Sequence, residues 1–149
     1  MINPFDDTYF MKKALQEAEL ALAEGEVPIG AVIVCNNQII AKGHNQVETL
    51  NDATAHAEML AFTAATNYLG SKYLKNCTLY VTLEPCQMCA GAAFWAQVGR
   101  IVYGATDEQR GYEHWHCKVH PKTEVVKGVL AEESQALLDT FFSRLRKKK

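Results

Sequence analysis

Residues 77–104 read CTLYVTLEPCQMCAGAAFWAQVGRIVYG, and this stretch decides the fold. TLYVT, following Cys77, is rich in β-branched and aromatic side chains and reads as a strand. Pro85 stands at the first position of a helix whose apolar run extends from Cys86 to Val98 and is ended by Gly99. RIVYG then reads as a second strand. Strand, helix and strand in so short a span make a βαβ unit, in which the strands are parallel and the crossover right-handed.

Working outward, AVIVC and QIIAK flank Asn36 and Asn37, residues that tolerate the positive φ a tight hairpin requires. An antiparallel pair beside a parallel one makes the sheet mixed. Apolar positions Phe10, Ala14, Ala18, Ala21 and Leu22 recur at helical spacing over residues 7–24, with Asp6 or Asp7 as N-cap and Gly25 then Pro28 as the stop. After a polar loop from Gly43 to Asp52, Thr54 is the expected cap of a helix over 55–68, closed by Gly70 and Ser71. Downstream, residues 105–122 read as a long polar loop and EVVKGVL as a short strand and exit. Glu132 to Arg146 forms an amphipathic helix through Leu137, Leu138, Phe141 and Leu145.

With 149 residues, 48% hydrophobic and 21% charged, the chain can bury one core, and residues 1–149 are expected to form a single α/β domain. No stretch approaches the eighteen or so uncharged apolar residues of a membrane span, and MINPFDDTYF is acidic where a signal peptide would be basic. The expectation is a cytoplasmic protein that does not enter a membrane. Five cysteines, two of them in a CxxC, suit a reducing compartment and a metal or redox site better than a disulfide framework.

Two motifs carry chemistry: His56-Ala57-Glu58 at the start of one helix and Pro85-Cys86-Gln87-Met88-Cys89 at the start of another. A CxxC at a helix N-terminus is by itself either a redox pair or half of a structural zinc site. A lone histidine is usually an ordinary hydrogen-bonded residue. Taken together, one imidazole and two thiolates make three ligands for a metal that wants four in tetrahedral geometry, which leaves a position for water. Zinc acidifies such a water strongly, and the Glu58 carboxylate is near enough in sequence to move its proton. One obstacle is geometric: residues two apart on an ideal helix point about 200° apart, so spacing alone does not bring His56 and Glu58 together. Thiolate and imidazole ligands favour zinc, with iron chemically possible.

HxE followed by PCxxC is the signature of zinc-dependent nucleobase deaminases. Over nearly its whole length the chain resembles the bacterial tRNA adenosine deaminases of the cytidine deaminase superfamily: VPIGAVIV, Gly43 to Asn45, DATAHAEMLA, LYVTLEPCQMCAGA, RIVYGATD, and a last helix with paired Phe141 and Phe142. The resemblance implies a three-layer cytidine-deaminase-like α/β fold with a mixed five-stranded sheet flanked by helices. It further implies a homodimer, a Zn2+ cofactor held by His56, Cys86 and Cys89, and Glu58 as the catalytic proton carrier. The implied reaction is conversion of the wobble adenosine of a tRNA anticodon to inosine. Asn45 matches the position that recognises the flipped base, and Asp107 and Phe142 match positions near the anticodon loop. Asp107 can equally be a turn residue after a strand, and periodicity favours a core place for Phe142.

Other features pull in different directions. Arg144, Arg146, Lys147, Lys148 and Lys149 put five positive charges in the last six residues, either a phosphate-contacting arm or a solvated end. His114, His116, Cys117 and His120 imitate a second metal site, but their close spacing without a partner pair suits a solvent-facing or interface loop. This loop departs from the family pattern, as does Gln97, where relatives commonly carry arginine. Cys35 and Cys77 are expected to be small buried hydrophobes; Phe94 and Trp95 can line the substrate pocket or bury in a dimer interface, with a core or interface place favoured. An aromatic pair there is also similar to guanine deaminases. Two rival readings remain: a free-base or nucleoside deaminase of guanine or cytosine type, and a binding module with purely structural zinc, which needs a fourth protein ligand.

Overall fold

The structure, a computed structural model, describes residues 3–148. The chain runs α1 (Asp7–Ala23), β1 (Gly30–Cys35), β2 (Gln38–His44), α2 (Ala57–Leu69), β3 (Cys77–Leu83), α3 (Gln87–Ala96), β4 (Arg100–Ala105), β5 (Glu124–Lys127) and α4 (Ala131–Lys147). The five strands form one sheet in the order β2-β1-β3-β4-β5. β1 is antiparallel to β2 and to β3, whereas β3, β4 and β5 run parallel, so the expected mixed sheet is present.

Alternation along the central strands builds the layers. Ala31, Ile33, Leu79, Val81, Ile101 and Tyr103 face one way and are buried with Ala57, Ala61 and Phe62 of α2 and Ala90 and Ala93 of α3. Val32, Val34, Tyr80 and Val102 face the other way, onto Phe10, Met11 and Ala14 of α1. α4 packs beside α1 on that second face. Glycine permits both helices to approach closely. A Cβ at Gly30 would collide with the Ala14 carbonyl of α1, and one at Gly43 with the Ala57 carbonyl of α2.

The caps show why each element begins where it does. Asp6 accepts from the Tyr9 backbone N–H at 2.9 Å and starts α1 as expected. The two-residue hairpin is closed by Asn36 and Asn37 at φ of 53° and 60°. Two helix starts each lie two residues beyond expectation. Thr54 does not cap α2: its hydroxyl and N–H both bond Asp52 Oδ1 at 2.8 Å, and His56, in extended conformation, is the N-cap residue. Pro85 likewise precedes α3, whose N-cap is Cys86. The far end of α3 is closed by Gln97 in the left-handed region at φ 56°, not by Gly99. No helix among the described residues is long and apolar enough to cross a membrane.

Candidate active site

The ends of α2 and α3 meet. His56 and Cys86 are the N-cap residues of these two helices, and Cys89 lies in the first turn of α3. His56 Nδ1 is 3.6 Å from Cys86 Sγ and 3.6 Å from Cys89 Sγ. All three candidate ligand atoms lie within 4.8 Å of one another. Zinc–nitrogen and zinc–sulfur bonds of about 2.0 and 2.3 Å at a tetrahedral angle require a nitrogen-to-sulfur separation of about 3.5 Å, close to the spacing found, so the donor triangle has the size this metal needs. Two helix N-termini aimed at the triangle favour anionic sulfur. The Cys86 thiol is pulled down to about 4, first by the hydrogen bond from Cys89 and then by His56, while Cys89, as the donor, goes up. His56 is raised, chiefly by its hydrogen bond to Cys86.

Glu58 is 4% exposed, and burial lifts its carboxyl to about 7, with the Cys86 charge pushing the same way. The 200° obstacle does not apply because His56 is not on the helix: it is the extended N-cap residue, at φ −74° and ψ 153°, and it lines the same cavity as Glu58. A cavity of about 790 Å³ opens over His56, Glu58 and Cys86. Asn45 and Asp107 stand in its wall, and Phe141 and Phe142 of α4 line it as well.

Asn45 is 6% exposed, and its amide has a fixed sense: Nδ2 donates to the Val27 carbonyl and Oδ1 accepts from the Val47 N–H, each at 3.3 Å. One N–H and one lone pair are left over. Asp107 is a turn residue, its Oδ1 accepting from the N–H groups of Gln109 and Arg110 at 3.2 and 3.0 Å, and it also lines the cavity. Phe142 corrects the core expectation drawn from periodicity. It is 40% exposed, and Leu138, at 6%, fills the core instead. Trp95 is 78% exposed, which removes the core reading.

The decoy histidines do not converge. Among the described residues His56, Cys86 and Cys89 are the one cluster able to hold a metal, while His114 packs on Trp115 and His120 on Phe94. The basic end is helical as far as Lys147, and Lys149 lies outside the described residues.

Two buried carboxyls escape a reading of the sequence. Glu26 accepts from the Glu48 N–H at 3.0 Å and from the Thr49 N–H and hydroxyl at 2.6 and 2.7 Å, which fixes the loop after β2. Burial alone would raise its carboxyl, but the bonds from Thr49 and Glu48 outweigh it and hold the group low. Glu84 accepts from the N–H groups of Asp107 and Glu113 at 3.0 and 3.1 Å and so clamps the 107–113 loop. Gly111 of that loop bridges Cys86, and a Cβ there would strike the Glu84 carboxyl. The signal that could have found it is a charged residue inside an apolar strand exit, at Leu83-Glu84-Pro85.

Comparison with known proteins agrees with this geometry. The family described as the cytidine and deoxycytidylate deaminase zinc-binding region matches residues 5–105. A tRNA-specific adenosine deaminase of Bacillus subtilis (strain 168) is 47% identical over 149 residues, covering 96% of this chain and 92% of the relative. A solved structure from a study of tRNA:A34 deaminases superposes with a TM-score of 0.80 at 41% identity, over 88% of this chain and 99% of that one. A guanine deaminase from Bacillus subtilis superposes with a TM-score of 0.64 at 42% identity, over 70% of this chain and 66% of that one.

Proposed function

Because the chain belongs to the cytidine and deoxycytidylate deaminase family, a zinc-binding family, we propose that it hydrolyses the 6-amino group of adenosine at the wobble position of a tRNA anticodon, leaving inosine and ammonia. The observation that carries this reading is the His56, Cys86 and Cys89 triangle with a buried Glu58 beside it, at the floor of a cavity far larger than one base. Bound by those three side chains, zinc supplies a Lewis acid that makes water nucleophilic near neutral pH.

The remaining steps belong to the protein. Glu58 accepts a proton from the attacking water, delivers one to N1 of the purine and helps the amino group leave as ammonia. Its burial suits this work, since desolvation raises the carboxylate's affinity for a proton. The spare donor and acceptor of Asn45 face the flipped base in a sense already fixed by Val27 and Val47. Phe142 supplies an aromatic face for an unstacked neighbouring base, and Asp107 lines the same cavity. Homodimer formation through α3 is supported by the exposure of Phe94 and Trp95, and a substrate of this kind is met in the cytoplasm.

The test is an anticodon stem-loop with adenosine at the wobble position, assayed for inosine and ammonia beside free adenine, guanine and cytidine. Inosine in the RNA supports the reading. Ammonia from a free base with unchanged RNA moves the protein to the salvage type that the guanine deaminase likeness represents. Glu58→Ala should keep zinc and fold and lose at least about a hundredfold in turnover, the usual span of general acid–base catalysis. A variant that still turns over at the native rate removes Glu58 from the mechanism.

A further inference from the structure

Cys35 closes β1 and Cys77 opens β3, and the register sets them directly opposite each other across the antiparallel pair. The kind of pair follows from the hairpin. Cys35 and Gln38 flank the two-residue Asn36-Asn37 turn, so the backbone N–H and C=O of Cys35 point toward β2. They cannot also point toward β3, and the Cys77 N–H bonds the Leu74 carbonyl instead, at 3.1 Å. Cys35 and Cys77 are therefore a non-hydrogen-bonded pair, the site of closest cross-strand approach, with Cα atoms about 4.5 Å apart. That separation lies within the range of roughly 4.4 to 6.8 Å that a disulfide spans. Both side chains point to the face covered by α2 and α3, where Cys77 is 2% exposed and Cys35 half-buried against the same core.

We propose that Cys35 and Cys77 are a reversible oxidation site, closed as a cross-strand disulfide by small-molecule disulfides of the glutathione type. Cys35, the accessible partner, attacks one sulfur of the reagent as its thiolate, forming a mixed disulfide and releasing one glutathione thiolate. Cys77 gives up its proton and attacks the Cys35 sulfur; the S–S bond between strands forms and the second glutathione leaves. Two protein thiols are oxidised by two electrons, and one small disulfide is reduced to two thiols. Burial, with Cys35 adjacent, pushes the Cys77 thiol up to about 11, which suits the second attacker better than the first. The zinc-site cysteines are spectators. β3 runs six residues from Cys77 to Leu83 before the chain reaches Cys86, about 20 Å of strand.

The experiment uses the zinc-loaded full chain carrying Cys117→Ser, because Cys117 is half-buried against the same core and is a competing thiol. After incubation with oxidised glutathione, the intact mass should fall by two hydrogens with zinc content unchanged. Proteolysis without reduction should yield one cross-linked product holding Cys35 and Cys77, and dithiothreitol should restore both thiols. Adding Cys35→Ser should abolish the product, and Cys35→Ala serves the same purpose if the serine variant folds poorly. A glutathione adduct that persists on Cys35, no reaction, or a bond from either residue to Cys86 or Cys89 overturns the proposal.

Discussion

Glu84 has both carboxyl oxygens committed to backbone N–H groups of the loop that carries Asp107, and it lies two residues before the candidate ligand Cys86. Glu84→Gln replaces one acceptor oxygen by an amide nitrogen, so one of the Asp107 and Glu113 N–H groups must face a donor. A hydrogen bond of this charged kind is worth about 1.5 to 3 kcal/mol. If the clamp sets the cavity wall, KM for the anticodon stem-loop should rise by about tenfold or more while zinc stoichiometry stays at the native level; steady-state kinetics with parallel metal analysis decides it. Equal KM values in the two proteins would mean that the loop holds its place without Glu84. A charge at an apolar strand exit marks Glu84 in the sequence, but the clamp itself is not legible, because its partners are backbone groups 23 and 29 positions away. Glu58 is legible by type, and its convergence with His56 is not, since that depends on the extended backbone of a single residue.

Helix α1 is tied to β3 and β4, on the face of the sheet that it covers, by Asp7. Its Oδ1 and Oδ2 accept from Arg100 of β4 at 2.6 and 2.8 Å, and Oδ1 also accepts from the Tyr80 hydroxyl of β3 at 2.8 Å. The Arg100 guanidinium, with Tyr80, outweighs partial burial and holds the Asp7 carboxyl below its ordinary value. A carboxyl lowered in the folded state contributes stability that is present above the unfolded value, near 3.9, and is lost as pH falls through the folded one. Asp7→Asn should therefore melt below the native protein at pH 7, and the gap should shrink progressively below about pH 4; paired thermal melts across that range measure it. A gap independent of pH would place the effect in packing. From the sequence Asp7 reads as a possible cap only, because a cap is local and the Arg100 partner is 93 residues distant. The shifted starts of α2 and α3 have a common physical origin. At both, the N-cap position is occupied by a candidate metal ligand, His56 or Cys86, which caps poorly and which no capping preference would select.

At the scale of the whole molecule, charge is distributed unevenly. Arg144, Arg146 and Lys147 occupy the last turn of α4, the helix that also lends Phe141 and Phe142 to the cavity. The basic end is thus attached to the site by a rigid rod, which favours the phosphate-contacting reading over the solvated one. Replacing Arg144, Arg146, Lys147 and Lys148 with glutamine should weaken stem-loop binding and flatten its dependence on salt by about 0.7 in log–log slope for each phosphate that is no longer neutralised. Titrations at several salt concentrations measure both, and an unchanged slope would return these side chains to solvent. The hairpin, the βαβ unit and the mixed sheet are legible because local turn chemistry and short crossovers fix them. Residues 106–123 are not, since their course depends on single hydrogen bonds such as those from Glu113 to Glu84 and from Thr123 to the Val98 carbonyl.

The sheet order also decides how copies of this chain can meet. One margin is β5, four residues long with Glu124 and Lys127 at its ends, and the other is β2, which carries Lys42 and pairs with β1 through a register shift at Ile33 and Val34. Brevity, charge and an irregular ladder are the devices that discourage edge-to-edge accretion into fibres. Contact between copies is thereby confined to side-chain surfaces and kept off the strand margins, so the sheet ends with its own five strands.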